Sequence, residues 1–179
     1  MTPPSAGRPR SGSFSRTPLR LYVAAALLAV AGSASAQALP VIVSQVAREN
    51  VADRIEAGTF IMAAAMTGGT LELKNADNRH IHYLLEPLHK AGVDLIENET
   101  GHSITVKRVR ERLRGIDIMT EPYPGFPTDL QAQVMSMLTI AEGAGMVTET
   151  IFENRFMHAP ELIRMGANIT VHGSSALVR

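Results

Sequence analysis

From about residue 50 onward the apolar and polar positions switch between two periods, and each switch marks an element. Ile55 to Met66 has apolar residues at helical spacing and stops at Gly68-Gly69, which predicts a helix with a glycine end. Thr70-Leu71-Glu72-Leu73-Lys74 alternates with period two and predicts a strand. His82 to Ala91 predicts a second helix, closed by Gly92. Val93 to Glu97 and Ser103 to Lys107 predict two strands that turn around Asn98-Glu99-Thr100-Gly101.

The second half predicts the same succession. Gly115 to Thr120 reads as a strand, and the three prolines of Glu121-Pro122-Tyr123-Pro124-Gly125-Phe126-Pro127 make the next segment a loop. Thr128 to Glu142 reads as a helix closed by Gly143, and Met146 to Ile151 as a strand. A short helix from Pro160 to Gly166 follows, then strands at Asn168 to Val171 and Ala176 to Val178 around His172-Gly173-Ser174-Ser175. The halves also match by residue. Asn78-Arg79-His80-Ile81-His82 parallels Asn154-Arg155-Phe156-Met157-His158, and Leu88 to Gly92 parallels Leu162 to Gly166. A pattern repeated at a fixed spacing implies repeated units sharing a core. Each unit reads β-α-β-α-β-β, an α/β layered fold. For the first strand of unit one, Val41-Ile42-Val43 is the only apolar candidate. With two units, sheet edges that a third would cover stay open.

Charge sets a boundary. Arg8, Arg10, Arg16, Arg20 and Arg48 precede the first acidic residue, Glu49. Residues 1–48 therefore read as a disordered leader and 49–179 as the folded part, with unit one at about 49–110 and unit two at about 114–179. The apolar run Leu21 to Ala31, followed by Ala34-Ser35-Ala36, has the form of a secretory signal peptide. An organelle transit peptide, or out-of-frame translation ahead of a truncated gene, would give a similar composition. The run is too short for a stable membrane span, which needs roughly 20 apolar residues. Lys+Arg and Asp+Glu both number 17 among 179 residues, so bulk charge gives no reason to expect nucleic-acid binding. The absence of Cys excludes disulfides, thiolate metal sites and a thiol nucleophile. His80 and His82 flank Ile81 with no evident third ligand, a poor metal site.

Four blocks in register carry a resemblance. They are Asp53-Arg54-Ile55-Glu56-Ala57-Gly58-Thr59, Pro124 to Gln133, Thr148 to His158, and Pro160 to Ala167. Together they resemble the UDP-N-acetylglucosamine 1-carboxyvinyltransferase family, of the enolpyruvyl transferase superfamily, over about residues 50 to 179. The resemblance implies an inside-out α/β barrel of β-α-β-α-β-β units, of which about two are present here. It implies transfer of enolpyruvyl from phosphoenolpyruvate to the 3-hydroxyl of UDP-N-acetylglucosamine, the first committed step of peptidoglycan synthesis. It implies no metal or organic cofactor, and a cytoplasmic location that conflicts with the signal-like start.

That chemistry needs a base for the sugar hydroxyl proton. The resemblance assigns the role to Asp129, which a Thr128-x-x-Gln131 capping box would put at the first helical position. An acid there also offsets the helix dipole, the structural alternative. Leu130, Val134, Met137, Leu138 and Ala141 share one helix face and read as core. The resemblance places Ile151 against the UDP-sugar, largely through backbone. Arg155 could face an anionic group, but Arg79 holds the same place in unit one, which favours a role in the shared fold. Asp53 and Glu56 read as helix-start residues. The family's Lys-Asn pair, its loop proton donor and its arginines for phosphoenolpyruvate have no matching motif. The expected function is thus a fragment of the transferase, inactive alone. The alternative is a secreted or periplasmic non-catalytic binding module that reuses the fold.

Overall fold

The computed structural model describes residues 41–44, 53–98 and 103–179. The signal-like segment and most of the leader lie outside the described residues. Asp53 opens the first helix, α1 (Arg54–Thr67), its Oδ1 accepting from the backbone N–H of Ile55 at 2.8 Å and of Glu56 at 3.3 Å. Gly68, at φ 75°, ends it in the left-handed conformation that an L side chain resists. β1 (Val41–Ser44) pairs parallel with β2 (Thr70–Lys74), so the Val41-Ile42-Val43 candidate is a strand and lies ahead of the charge boundary at Glu49. α2 (His82–Ala91), β3 (Val93–Glu97) and β4 (Ser103–Arg108) complete a sheet of order β1-β2-β4-β3.

The second unit holds β5 (Ile118–Met119), α3 (Gln131–Leu138), β6 (Gly145–Thr148), α4 (Ala159–Arg164), β7 (Ile169–His172) and β8 (Ser175–Val178). Its sheet has order β5-β6-β8-β7, with one parallel pair followed by two antiparallel pairs, as in the first sheet. The α/β reading and the repeated unit therefore hold at the level of strand order and direction.

Each unit has one central helix and one outer helix. α1 buries Ala57, Gly58, Ile61, Met62, Ala64, Ala65 and Met66, too many for one face. α3 buries Val134, Met135, Met137 and Leu138 together with Gln131 and Ser136. A helix apolar on most sides needs cover on most sides. α1 finds it between β2, β4 and α3. α2 instead buries Tyr83, Leu84, Leu88 and Ala91 and leaves Glu86, His89 and Lys90 outside. Helices at the centre with sheets around them make the inside-out arrangement.

The units interlock at α1 and the start of α3. Leu130 lies so close to Gly58 that a Cβ there would meet its Cδ1 at 2.4 Å. Gln133 Nε2 donates to Thr59 Oγ1 at 3.1 Å, and the ring edge of Tyr83 meets Phe126 at 6.0 Å between centroids. Within unit two, Gly115 lets the Ala144 carbonyl oxygen come within 2.3 Å of the position a Cβ would take.

Three expected elements are shorter than their patterns. The strand expected over Gly115 to Thr120 shrinks to β5, because Asp117 Oδ1 takes the Met146 N–H at 2.9 Å in place of a ladder carbonyl. The helix expected to reach Glu142 ends at Leu138. There the chain tightens into three-residue bonds, and Glu142 N–H turns to the Leu113 carbonyl at 2.8 Å. The strand expected to run to Ile151 stops at Thr148, and Ile151 lies in the turn beyond it.

Candidate functional site

The site begins where β6 ends. Along β6 the burial alternates, with Gly145 and Val147 inside, and the next inward position is Glu149. A carboxylate therefore sits where strand geometry would place an apolar side chain. It is 3% exposed, and among the described residues it has no salt-bridge partner. Neutral donors surround it instead. Oε1 accepts from Thr120 Oγ1 at 2.9 Å, Ile151 N–H at 2.9 Å and Phe152 N–H at 3.1 Å. Oε2 accepts from Thr128 Oγ1 at 2.8 Å and Gln131 Nε2 at 2.6 Å. Burial is the largest influence and favours the neutral acid. The backbone N–H of Ile151 and the other donors together outweigh it and hold the carboxyl below the ordinary glutamate value.

These bonds overturn the expected capping box. Thr128 and Gln131 have the right residue types and spacing, but both side chains serve Glu149, and neither caps the helix. Thr128 to Leu130 form a 3₁₀ turn ahead of α3, with Asp129 as its middle residue rather than the first residue of an α-helix. The carboxylate thereby ties three segments together: the end of β5 through Thr120, the start of α3, and the turn after β6. Thr120 is held from both sides, since its Oγ1 also accepts from Thr150 N–H at 2.9 Å and its carbonyl accepts from Thr150 Oγ1.

Around this hub stand the residues singled out in the sequence. Asp129 follows Thr128 and points outward, its side chain 61% exposed. Ile151 gives its N–H to the same carboxylate that Thr128 bonds. Arg155 reaches back, its Nη2 2.8 Å from Asp129 Oδ1, and lies over the Phe152 ring at 5.1 Å. Asn154, at φ 56°, makes the turn that returns Arg155 toward Asp129. A cleft of about 210 Å³ runs beside Glu149, Phe152 and Arg155 to Gly173 and Ser174.

The repeat explains the histidines and not the arginines. His82 Nδ1 bonds the Arg79 carbonyl at 2.9 Å, and His158 bonds the Arg155 backbone, the same three-residue step in both units. Burial, and then the charge of Arg155, lower the His158 pKa. Arg79, however, pairs with neighbouring Asp77 and is 87% exposed, whereas Arg155 crosses to Asp129. The role in the shared fold expected for Arg155 from its match to Arg79 is thus not shared. Asp77, held by the Arg79 guanidinium, titrates at about 2. His80 lies 3.9 Å from Asp77, and among the described residues no group of three His, Asp or Glu side chains is placed to hold a metal.

The model of the EPSP synthase family (3-phosphoshikimate 1-carboxyvinyltransferase) matches residues 44–177, most of the chain. The chain belongs to the EPSP synthase family. Within that family it is similar to the UDP-N-acetylglucosamine 1-carboxyvinyltransferase of Rhodospirillum centenum, at 59% identity over 129 residues, covering 72% of this chain and 29% of the relative. The protein of the same name from Granulibacter bethesdensis is 58% identical over 129 residues, covering 72% of this chain and 30% of the relative. Among solved structures, the enolpyruvyl transferase NikO of Streptomyces tendae shares the fold at a TM-score of 0.61 and 24% identity, covering 70% of this chain and 29% of that one. The chain thus spans about three tenths of the length of the curated relatives it matches.

The sequence reading missed Glu149. Its signal was the period of β6, which points residue 149 inward, together with the threonines on either side.

Proposed function

We propose that this chain supplies the sugar-facing wall of a UDP-N-acetylglucosamine 1-carboxyvinyltransferase, as a piece of that enzyme. The supporting observation is the convergence of Asp129, Ile151 and Arg155 around one buried carboxylate. The 59% identity to a relative of that name supports the choice of substrate. Asp129 is the base. Arg155 holds its Oδ1, which leaves Oδ2 for the proton of the sugar 3-hydroxyl. As that proton leaves, the hydroxyl oxygen bonds the central carbon of phosphoenolpyruvate, and the methylene carbon takes a proton from a donor outside this wall. Loss of that methyl proton with departure of phosphate restores the double bond. Ile151 meets the UDP-sugar mainly through its backbone. The substrates are cytoplasmic metabolites, so the cytoplasm is the working compartment.

Alone, the chain does not turn over. The reaction needs two substrates held in line, and such positioning supplies about 7–11 kcal/mol of the barrier at best. One wall of the cleft cannot provide it. The Arg-rich start and the Leu21 to Ala36 pattern favour the second reading, a secreted or periplasmic binding module.

The test uses the full 179-residue chain. Phosphate release from phosphoenolpyruvate with UDP-N-acetylglucosamine is expected to equal a no-enzyme control. Millimolar UDP-N-acetylglucosamine is expected to move the amide resonances of Asp129 and Ile151. Sugar-dependent release abolished by Asp129→Asn would overturn the fragment reading. No response at Asp129 and Ile151 would remove the sugar site and leave the binding-module reading in its place.

A further inference from the structure

We infer that Glu149 is a positioning residue for the sugar-facing wall, setting the relation of Asp129 to Ile151 without touching substrate. This rests on the functional reading of Asp129 and Ile151 given above. Three observations carry it. First, the carboxylate is buried, and its two oxygens divide the work. Oε1 takes the N–H groups of Ile151 and Phe152, and Oε2 takes the side chains of Thr128 and Gln131 on either side of Asp129. The distance from the Ile151 backbone to the Asp129 turn is therefore set by one rigid group. Second, every donor is neutral, so a free carboxylate is the one state of this side chain that satisfies all five bonds at once. Third, the carboxylate does not recur in the repeat. The residue that follows β2, in the place Glu149 takes after β6, is Asn75 at φ 59°. A carboxylate needed only to hold the shared unit together would be expected in both.

Glu149→Gln separates positioning from folding. The amide oxygen replaces Oε1, which faces two backbone N–H groups that cannot reverse. The new NH₂ then faces Thr128, whose hydroxyl can rotate to accept, and Gln131, which can flip. Gln131 Oε1 is buried and has no hydrogen-bond partner, so the flip presents an unused acceptor. The variant keeps five bonds at residue 149, while the flipped Gln131 Nε2 takes the buried place in which Oε1 had no partner. It loses the charge that makes those bonds strong and reverses the polarity of the two that flank Asp129.

The experiment follows the full chain by NMR, with UDP-N-acetylglucosamine as probe and thermal melting as the fold control. Glu149→Gln is expected to melt within a few degrees of the unaltered chain. It is expected to lose the Arg155 guanidinium signal of the Asp129 pair and to weaken the sugar response at least tenfold. Thr128→Val, which removes only the Oε2 bond next to Asp129, is expected to reproduce the loss. Unchanged Arg155 signals and sugar response in both variants would overturn the inference. So would a loss that appears only in proportion to unfolding, including failure of Glu149→Gln to fold. If the unaltered chain shows no sugar response while the Arg155 pair still loosens in both folded variants, the positioning inference stands and the sugar-site reading falls.

Discussion

In most helix interiors a glycine-to-alanine change stabilises, by about 0.8–1.0 kcal/mol. Gly58→Ala is predicted to do the opposite. Gly58 lies in the middle of α1, and its missing side chain is the seat for Leu130 of the second unit. A Cβ at this position would stand 2.4 Å from Leu130 Cδ1, 3.2 Å from Leu130 Cδ2 and 3.3 Å from Leu84 Cδ1. Both leucines are fully buried, so neither can swing into solvent. Overpacking of this kind costs about 1–3 kcal/mol. Set against the propensity gain, the net loss is about 1 kcal/mol, or a few degrees of melting temperature for a chain of this size. Leu130 is joined to Asp129, so the displacement also reaches the candidate site. Thermal or urea unfolding of the full chain reads the sign directly. Leu130→Ala alone should cost about 2–5 kcal/mol. The double variant should cost less than the two single changes together, because the alanine at 58 fills part of the space that Leu130 leaves. A rise in stability for Gly58→Ala, or strict additivity in the double variant, would show that the two units do not pack through this contact.

Asp53→Ala removes the acceptor for two N–H groups at the start of α1 and is expected to cost about 1 kcal/mol in urea unfolding, within about 0.5–2. No loss would mean that the cap is replaced by water without penalty. The Glu149 carboxyl is held below its ordinary value, so its contribution to stability is complete above the unfolded-state value of about 4.3 and is lost as pH falls through the lower folded value. The amide resonances of Ile151 and Phe152 should therefore hold their positions through pH 4.3 and move only at lower pH. Movement at or above that pH would show that burial outweighs the five hydrogen bonds.

Local patterns carried most of the fold. Leu71 and Leu73 give β2 its period and its buried face, and Gly68 and Gly92 end their helices with positive φ, as a glycine after a helical run suggests. The matching Asn-Arg-x-x-His segments pointed to a repeat, which appears as two sheets of the same order. The candidate site was less legible, because its central group works over distance. Thr120, Thr128, Gln131 and Ile151 are separate in the chain, and only the folded β6 brings Glu149 among them. Thr128 and Gln131 fit a helix cap equally well in a linear reading, since a carboxylate and a row of helix N–H groups draw on the same side-chain types. Arg155 looked like a copy of Arg79, yet the two differ in what stands opposite. Asp77 is two residues from Arg79, whereas Asp129 reaches Arg155 from another segment.

Asp129 is proposed as the base of a sugar-facing wall carried by residues 53–179. The most direct measurement exchanges this segment for the corresponding one in the Rhodospirillum centenum relative and follows phosphate release from phosphoenolpyruvate with UDP-N-acetylglucosamine. The chimera is expected to turn over, and the Asp129→Asn chimera to lose kcat on the order of 10²–10⁴-fold at unchanged melting temperature. An Asp129→Asn chimera that folds and keeps most of its turnover would contradict that role for Asp129.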